Sequence, residues 1–138
     1  MGLNYRRGEN KMVMSAAIVA VVLFGIMIVF QSLLVLGLPL GHLAYGGQQK
    51  KLPVKFRVLS VVAVGVFILA SLVVLERVSL IEVINNPGVT SVIIWVLAVY
   101  FTLGVLMNAI SRSKWEKIIM TPMAFVMAVC CTIIAIFG

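Results

Sequence analysis

Acidic residues are scarce in this chain, which has four glutamates and no aspartate against eleven lysines and arginines. Histidine occurs once, as His42, and cysteine twice, as the adjacent Cys130 and Cys131. The single histidine excludes a metal site built from several histidines of one chain, and the chain lacks the paired carboxylates that serve hydrolysis or metal-assisted transfer. We therefore expect no metal site, no cofactor and no catalytic residues.

Charge of either sign is also low, since charged residues make up 11% of the chain and hydrophobic residues 63%, with a mean hydropathy of +1.21. A soluble domain carries about 25% charged residues, so this chain has too little polar surface to cover itself in water. Most of it lies in four apolar runs, at residues 12–36, 58–75, 92–110 and 118–137. Each run has the roughly 20 residues that a helix needs to cross about 30 Å of hydrocarbon. The sequence predicts an all-α polytopic membrane protein, a four-transmembrane-helix bundle formed as a single domain over residues 1–138.

Basic residues are unevenly distributed between the two sides of this bundle. The first and third loops share one side and carry seven of them: Lys50, Lys51, Lys55, Arg57, Arg112, Lys114 and Lys117. The other side has four: Arg6, Arg7, Lys11 and Arg77. Because lysine and arginine accumulate on the cytoplasmic side, we expect a cell-membrane protein with the first and third loops in the cytoplasm and both termini outside. The three cations of the N-terminal tail argue for the opposite orientation.

Local signals mark several helix ends. Residues Ser113 to Glu116 have the Ser-x-x-Glu form of a capping box. In such a box the serine hydroxyl accepts a hydrogen bond from a backbone amide of the first turn, and the glutamate side chain accepts one from the serine amide. Helix four is expected to start there, and Thr90 or Ser91 to cap helix three. Three aromatic residues, of which the tryptophans lie close to predicted helix ends, are expected to form an interfacial belt: Trp95, Tyr100 and Trp115.

The loop between helices one and two is unlike the rest of the chain. Its segment from Gly37 to Gly47 contains five glycines or prolines, which exclude a regular helix. The same segment is too apolar for an ordinary solvated loop. We expect an ordered loop that lies along the interface or dips into the bundle, with its backbone polar groups shielded by protein or water.

This loop and the start of helix two also carry a resemblance to a known family. The pattern is Gly-x-Pro-x-Gly-x-x-Ala-x-Gly-Gly followed by Leu-Pro-x-x-x-Arg-x-x-Ser, at Gly37, Pro39, Gly41, Ala44, Gly46, Gly47, Leu52, Pro53, Arg57 and Ser60. It resembles an uncharacterised family of small four-span bacterial membrane proteins. The resemblance covers the first two helices, reaches the last two only through hydropathy, and implies an architecture without an activity.

The loop offers one candidate site, for a ligand or a lipid headgroup. Exposed glycine amides beside basic side chains favour anions such as a phosphate or a carboxylate. The candidate residues are His42, Tyr45, Gly46, Gly47, Lys50, Lys51 and Arg57. In the alternative interpretation, the glycines only permit tight turns and the cations only set the topology. No nucleotide-binding loop or nucleic-acid recognition motif accompanies them, so we expect no nucleic-acid partner.

Inside the predicted spans the polar residues are neutral. Gln31, Thr102 and Asn108 are expected to form hydrogen bonds between helices or to line a shared path. No charged residue lies plainly at the centre of a span, which weighs against a proton-coupled pump.

Three functional classes remain. The first is a non-enzymatic protein that binds a lipid or apolar ligand, or supports a membrane partner, through its first loop. The second is a small transporter or channel that works as a homo-oligomer, and the third is an integral membrane enzyme. The first class fits best, with anionic membrane lipids as the expected partners and a homo-oligomer or a partner membrane protein as open alternatives.

Overall fold

Four long helices form the structure, a computed structural model that describes residues 2–47, 49 and 51–138, with side chains from residue 5 onward. The helices are α1 Gly2–Val35, α2 Val54–Arg77, α3 Pro87–Ala109 and α4 Lys114–Phe137. All four are long and apolar enough to cross a membrane, and the described residues contain no strand. The predicted all-α, four-helix membrane architecture is confirmed.

Helix α1 is longer than the apolar run that predicted it. It begins at Gly2 rather than near residue 12, although its buried positions begin only at Val13. The additional ten residues lengthen the helix by about 15 Å. Hydropathy marks where a helix enters lipid, whereas the helix itself continues because the charged segment contains no proline to stop it. The N-terminal cations therefore lie on a helical extension.

Helix α3 also starts earlier than predicted. Asn86, not Thr90 or Ser91, is its N-cap, since the Asn86 side chain accepts a hydrogen bond from the Val89 amide at 3.2 Å. Pro87 follows at the first helical position, where its missing amide costs nothing. Trp95 consequently lies eight residues inside the helix, deeper than the predicted belt position.

An aromatic layer fills the middle of the bundle. The rings of Phe24, Phe67 and Phe101, from α1, α2 and α3, lie with centroids 5.5 to 6.0 Å apart. Small buried residues such as Ala20 and Ala70 let the helix backbones approach closely around this layer. Most outward-facing side chains are large and apolar, as expected for surfaces that contact lipid.

The second loop, residues 78–86, is held by a carboxylate at the end of α2. The Glu76 oxygens accept hydrogen bonds from the backbone amides of Val83, Ile84 and Asn85, at 3.4, 2.9 and 2.5 Å. These hydrogen bonds give acceptors to three amides that lie between α2 and α3. The second loop is at the end of the bundle opposite to the first and third loops.

Candidate functional site

The first loop, residues 36–53, folds into a compact unit. Between residues 37 and 47 it contains only two short 3-10 turns, Gly41–Leu43 and Tyr45–Gly47, so the predicted absence of a regular helix agrees with the structure. Ala44 and Leu52 are buried against Leu34 at the end of α1. The apolar residues of the loop thus form a small second core, which explains why a glycine-rich segment is ordered.

Consecutive left-handed residues turn the chain at the tip of this loop. Tyr45, Gly46 and Gly47 have φ values of 50°, 79° and 69°. Glycine adopts this conformation without strain, whereas tyrosine rarely does. The turn brings the Gly46 amide to the start of α4.

Hydrogen bonds join the loop tip to the start of α4, with donors in the first loop and at the start of α4. The Gly46 amide donates to Glu116 Oε2 at 3.0 Å, and the Ser111 hydroxyl donates to the same oxygen at 2.6 Å. The Ser113 hydroxyl donates to the carbonyl oxygen of His42. Gly47 packs so closely on the Ser113 side chain that a Cβ atom at position 47 would overlap it. The first and third loops therefore form one structural unit.

Half of the predicted capping box is wrong. The Ser113 hydroxyl does accept a hydrogen bond from the Glu116 amide, at 3.3 Å. Glu116, however, does not reach back to the Ser113 amide, which instead donates to the Ser111 hydroxyl at 3.1 Å. The Glu116 carboxylate binds the first loop because the Gly46 amide lies at the same end of α4 and needs an acceptor.

The glycine amides proposed for an anion already have acceptors within the chain. Gly46 donates to Glu116, and the Gly47 amide donates to the carbonyl oxygen of Ala44 at 2.9 Å. At Gly46 the anion is the carboxylate of Glu116 itself. A lipid phosphate has no free glycine amide at these two positions.

The aromatic and basic candidates occupy different environments. The Tyr45 hydroxyl hydrogen-bonds to Ser60 Oγ at 3.2 Å, and its ring stacks on Phe56 with centroids 4.9 Å apart. Arg57 is half-buried, with its Nε donating to the Leu52 carbonyl at 3.0 Å and its guanidinium against Gly37. Lys51 is exposed, and Lys50 lies outside the described residues. Tyr45 and Arg57 therefore stabilise the loop, while Lys51 is available to a ligand.

The basic face is the surface that the first and third loops form together. Its exposed cations are Lys51, Lys55, Arg112, Lys114 and Lys117. Glu116 is the one acidic residue in the sequence of residues 36–57 and 110–117, and it is 8% exposed. The fold thus exposes these five cations and buries the one acidic residue of the face.

Sequence reasoning did not connect Ser111 and Glu116 to the first loop, and it included Ser60 in the family pattern without predicting its hydrogen bond with Tyr45. The capping-box pattern marked Ser113 and Glu116 as interacting with each other, and nothing in it indicated a partner about 70 residues earlier. A signal was available in retrospect, because a lone acidic residue on a strongly basic side is unusual.

The predicted polar residues of the bundle do not converge. The Thr102 hydroxyl donates to the Ala98 carbonyl of its own helix at 2.7 Å, so this hydrogen bond lies within α3 and does not join two helices. Gln31 is buried in α1, and its Oε1 has no partner among the described residues. Asn108 is half-buried near the end of α3, next to the third loop. The described residues contain no group of three or more metal-binding side chains.

No family model matches the chain, and no curated protein or solved structure matches it. The four helices define its class as a multi-pass membrane protein. The resemblance of the first loop to a bacterial four-span family stays a prediction.

Proposed function

We propose that this is a non-enzymatic protein of the cell membrane that binds anionic lipid headgroups at its basic face. The observation that carries the proposal is the separation of charge on this face. Five described cations are exposed there, and Glu116 is withdrawn into hydrogen bonds with Gly46 and Ser111. A surface of this kind attracts phosphate without a competing carboxylate.

The expected strength of this attraction comes from the number of cations rather than from one pocket. Each lysine or arginine near an anionic membrane surface contributes about 1 kcal/mol. The Gly46–Glu116 contact joins the first loop to the start of α4, so Lys51 of the loop and Lys114 and Lys117 of α4 belong to the same end of the bundle. In this proposal lysine side chains contact the lipid headgroup, and Gly46 and Gly47 attach the first loop to α4.

The same charge difference supports an orientation. The side with the first and third loops has seven lysines and arginines and the opposite side has four. We place the basic face in the cytoplasm, where anionic lipids give the leaflet a negative surface potential. Both termini are then outside.

Native mass spectrometry of the protein, released from vesicles that contain phosphatidylglycerol and phosphatidylcholine, tests the lipid proposal. We expect wild type to retain phosphatidylglycerol preferentially. The triple variant Lys51→Gln, Lys114→Gln, Lys117→Gln should lose most of that preference, by about a hundredfold, because three cations at about 1 kcal/mol each contribute about 3 kcal/mol. The matched control Arg6→Gln, Arg7→Gln, Lys11→Gln removes three cations from the opposite side and should retain the lipid as wild type does.

Two results would contradict the proposal: no preference for phosphatidylglycerol in wild type, or equal retention by the two triple variants. Because cations also set the orientation, each variant needs its topology checked by labelling of single cysteines in intact cells. A variant that keeps its topology and loses the lipid separates lipid binding from topology.

One observation favours a second candidate function, a small transporter or channel that works as a homo-oligomer. Gln31 Oε1 and Thr121 Oγ1 are buried without a partner among the described residues, which is unfavourable inside a bundle unless water or a transported solute reaches them. Uptake of small ions and metabolites into proteoliposomes tests this candidate. Flux that Gln31→Leu abolishes would favour the transporter over the lipid-binding protein.

A further inference from the structure

A cavity of about 260 Å³ lies at the end of the bundle opposite to the basic face. The second loop and the adjoining ends of α2, α3 and α4 form its walls, and the lining includes Glu76, Arg77, Glu82, Pro87 and Gly138. Pockets for drug-sized ligands begin at roughly 300 Å³, so this cavity suits a smaller molecule. Its walls include the ends of three candidate membrane spans, where both solutes and lipid headgroups are found.

The positive part of the cavity is the guanidinium of Arg77. It donates to the carbonyl oxygen of Pro87 at 3.5 Å and to that of Gly138 at 2.7 Å, and its Nε is buried without a partner among the described residues. These two bonds use only two of the five N–H donors of a guanidinium. Pro87 is the first residue of α3, and the dipole of that helix adds positive potential at its start. This part of the cavity therefore favours an anionic group.

The negative part of the cavity is the carboxylate of Glu82 in the second loop. Glu82 is exposed, and its carboxylate has no hydrogen-bond partner among the described residues. The Glu76 oxygens, in contrast, already accept the amides of Val83, Ile84 and Asn85. Those hydrogen bonds fix the backbone directly after Glu82, so its carboxylate is held at the cavity and remains available to a cation.

We infer that this cavity binds a small zwitterion, with a primary ammonium group at Glu82 and a phosphate or carboxylate at Arg77. A ligand of one charge would pair with only one of these two side chains, whereas a zwitterion pairs with both by charge-assisted hydrogen bonds. The headgroup of phosphatidylethanolamine and a free amino acid share this chemistry. The cavity and the basic face are at opposite ends of the bundle and have no residue in common, so this inference does not depend on the proposed binding of anionic lipids.

Native mass spectrometry from vesicles with equal amounts of phosphatidylethanolamine and phosphatidylcholine tests the ammonium contact. The two lipids carry the same phosphate, and only the primary ammonium can donate a hydrogen bond. Wild type should retain phosphatidylethanolamine preferentially. Glu82→Gln should reduce that preference by about three- to tenfold, as for the loss of one charge-assisted hydrogen bond at an open site. Glu9→Gln removes an acid from the same side of the bundle, outside the cavity, and should behave as wild type does.

Calorimetry of the full-length protein in detergent, with ethanolamine phosphate and glycine as soluble probes, distinguishes the sources of the zwitterion. Binding of either probe that Glu82→Gln weakens would identify a free zwitterion as a ligand, and a preference confined to phosphatidylethanolamine would identify the lipid. Arg77→Gln should weaken binding of the anionic group. Because Arg77 also joins α2 to α3 and α4, Glu82→Gln is the decisive variant.

Two results would overturn the inference. One is a wild-type protein that neither prefers phosphatidylethanolamine nor binds a soluble probe. The other is binding that Glu82→Gln and Glu9→Gln leave equally unchanged. Neither result would alter the expected retention of phosphatidylglycerol, which depends on lysines at the other end of the bundle.

Discussion

The first and second loops are each held by a glutamate that accepts hydrogen bonds from backbone amides. The two glutamates differ in how far along the sequence those amides lie. Glu76 binds amides seven to nine residues away in the loop that directly follows it. Glu116 binds the amide of Gly46, 70 residues earlier in the chain. The second loop is therefore stabilised locally, and the first loop depends on the packing of the whole bundle.

This difference has an electrostatic consequence. Glu76 lies on the side with few cations, where Glu82 is also exposed. Glu116 lies on the basic face, and its burial leaves that face without an exposed acid. One contact thus anchors a loop and keeps the only acidic side chain of the basic face out of solvent.

The largest expected effect comes from breaking the long-range contact. Glu116→Ala leaves the Gly46 amide and the Ser111 hydroxyl without an acceptor and should lower the free energy of unfolding in detergent by about 2–4 kcal/mol. Glu116→Gln keeps one oxygen but no charge and should cost about 1–2 kcal/mol. Chemical denaturation measures both, with Glu82→Gln as the exposed control. If the Glu116 variants were as stable as Glu82→Gln, Glu116 would not anchor the first loop.

The packing of the loop tip on α4 gives the next largest effect. Gly47→Ala introduces a Cβ that overlaps the Ser113 side chain at a residue with φ of 69°, and should destabilise the protein by about 2–4 kcal/mol. Gly46→Ala shares the positive φ, but its Cβ would meet open space, so only about 1–2 kcal/mol is expected. The difference between the two variants measures the contact with α4. Equal destabilisation would mean that the loop tip does not pack on Ser113.

A smaller and more local effect is expected from the second loop. Glu76→Gln should speed hydrogen exchange of the Val83, Ile84 and Asn85 amides by about tenfold, because the charge-assisted acceptor is lost. Exchange of the Gly46 amide should not change. Mass spectrometry of exchanged peptides resolves the two loops. Faster exchange in both loops would show that they are not independent.

The side of the membrane on which each loop lies can be tested with substitutions that are not expected to change stability. Lys51→Cys and Glu82→Cys place one accessible thiol in each loop, since both residues are exposed. A membrane-impermeant maleimide applied to intact cells should label position 82 and not position 51. The reverse pattern would place the basic face outside and contradict the proposed orientation.

Three features follow from the amino-acid sequence alone: the four spans, the uneven distribution of basic residues and the irregular first loop. These features are local, since hydropathy is an average over a window and a glycine or proline restricts its own backbone wherever it occurs. The differences at the starts of α1 and α3 are local too. Hydropathy marks only the apolar part of α1, and the Asn86–Pro87 cap begins α3 ahead of its apolar run.

Which polar groups form hydrogen bonds with each other depends on how the helices pack. The capping box identified Glu116 correctly as a residue at the start of α4, but its partner depends on which loops the bundle brings to the same end. The exposure of Tyr100 depends likewise on which face of α3 the other helices cover. A hydrogen-bond acceptor in a folded chain binds the donor that packing places beside it. The spacing of two residues in the sequence does not reveal how close they lie in the folded protein.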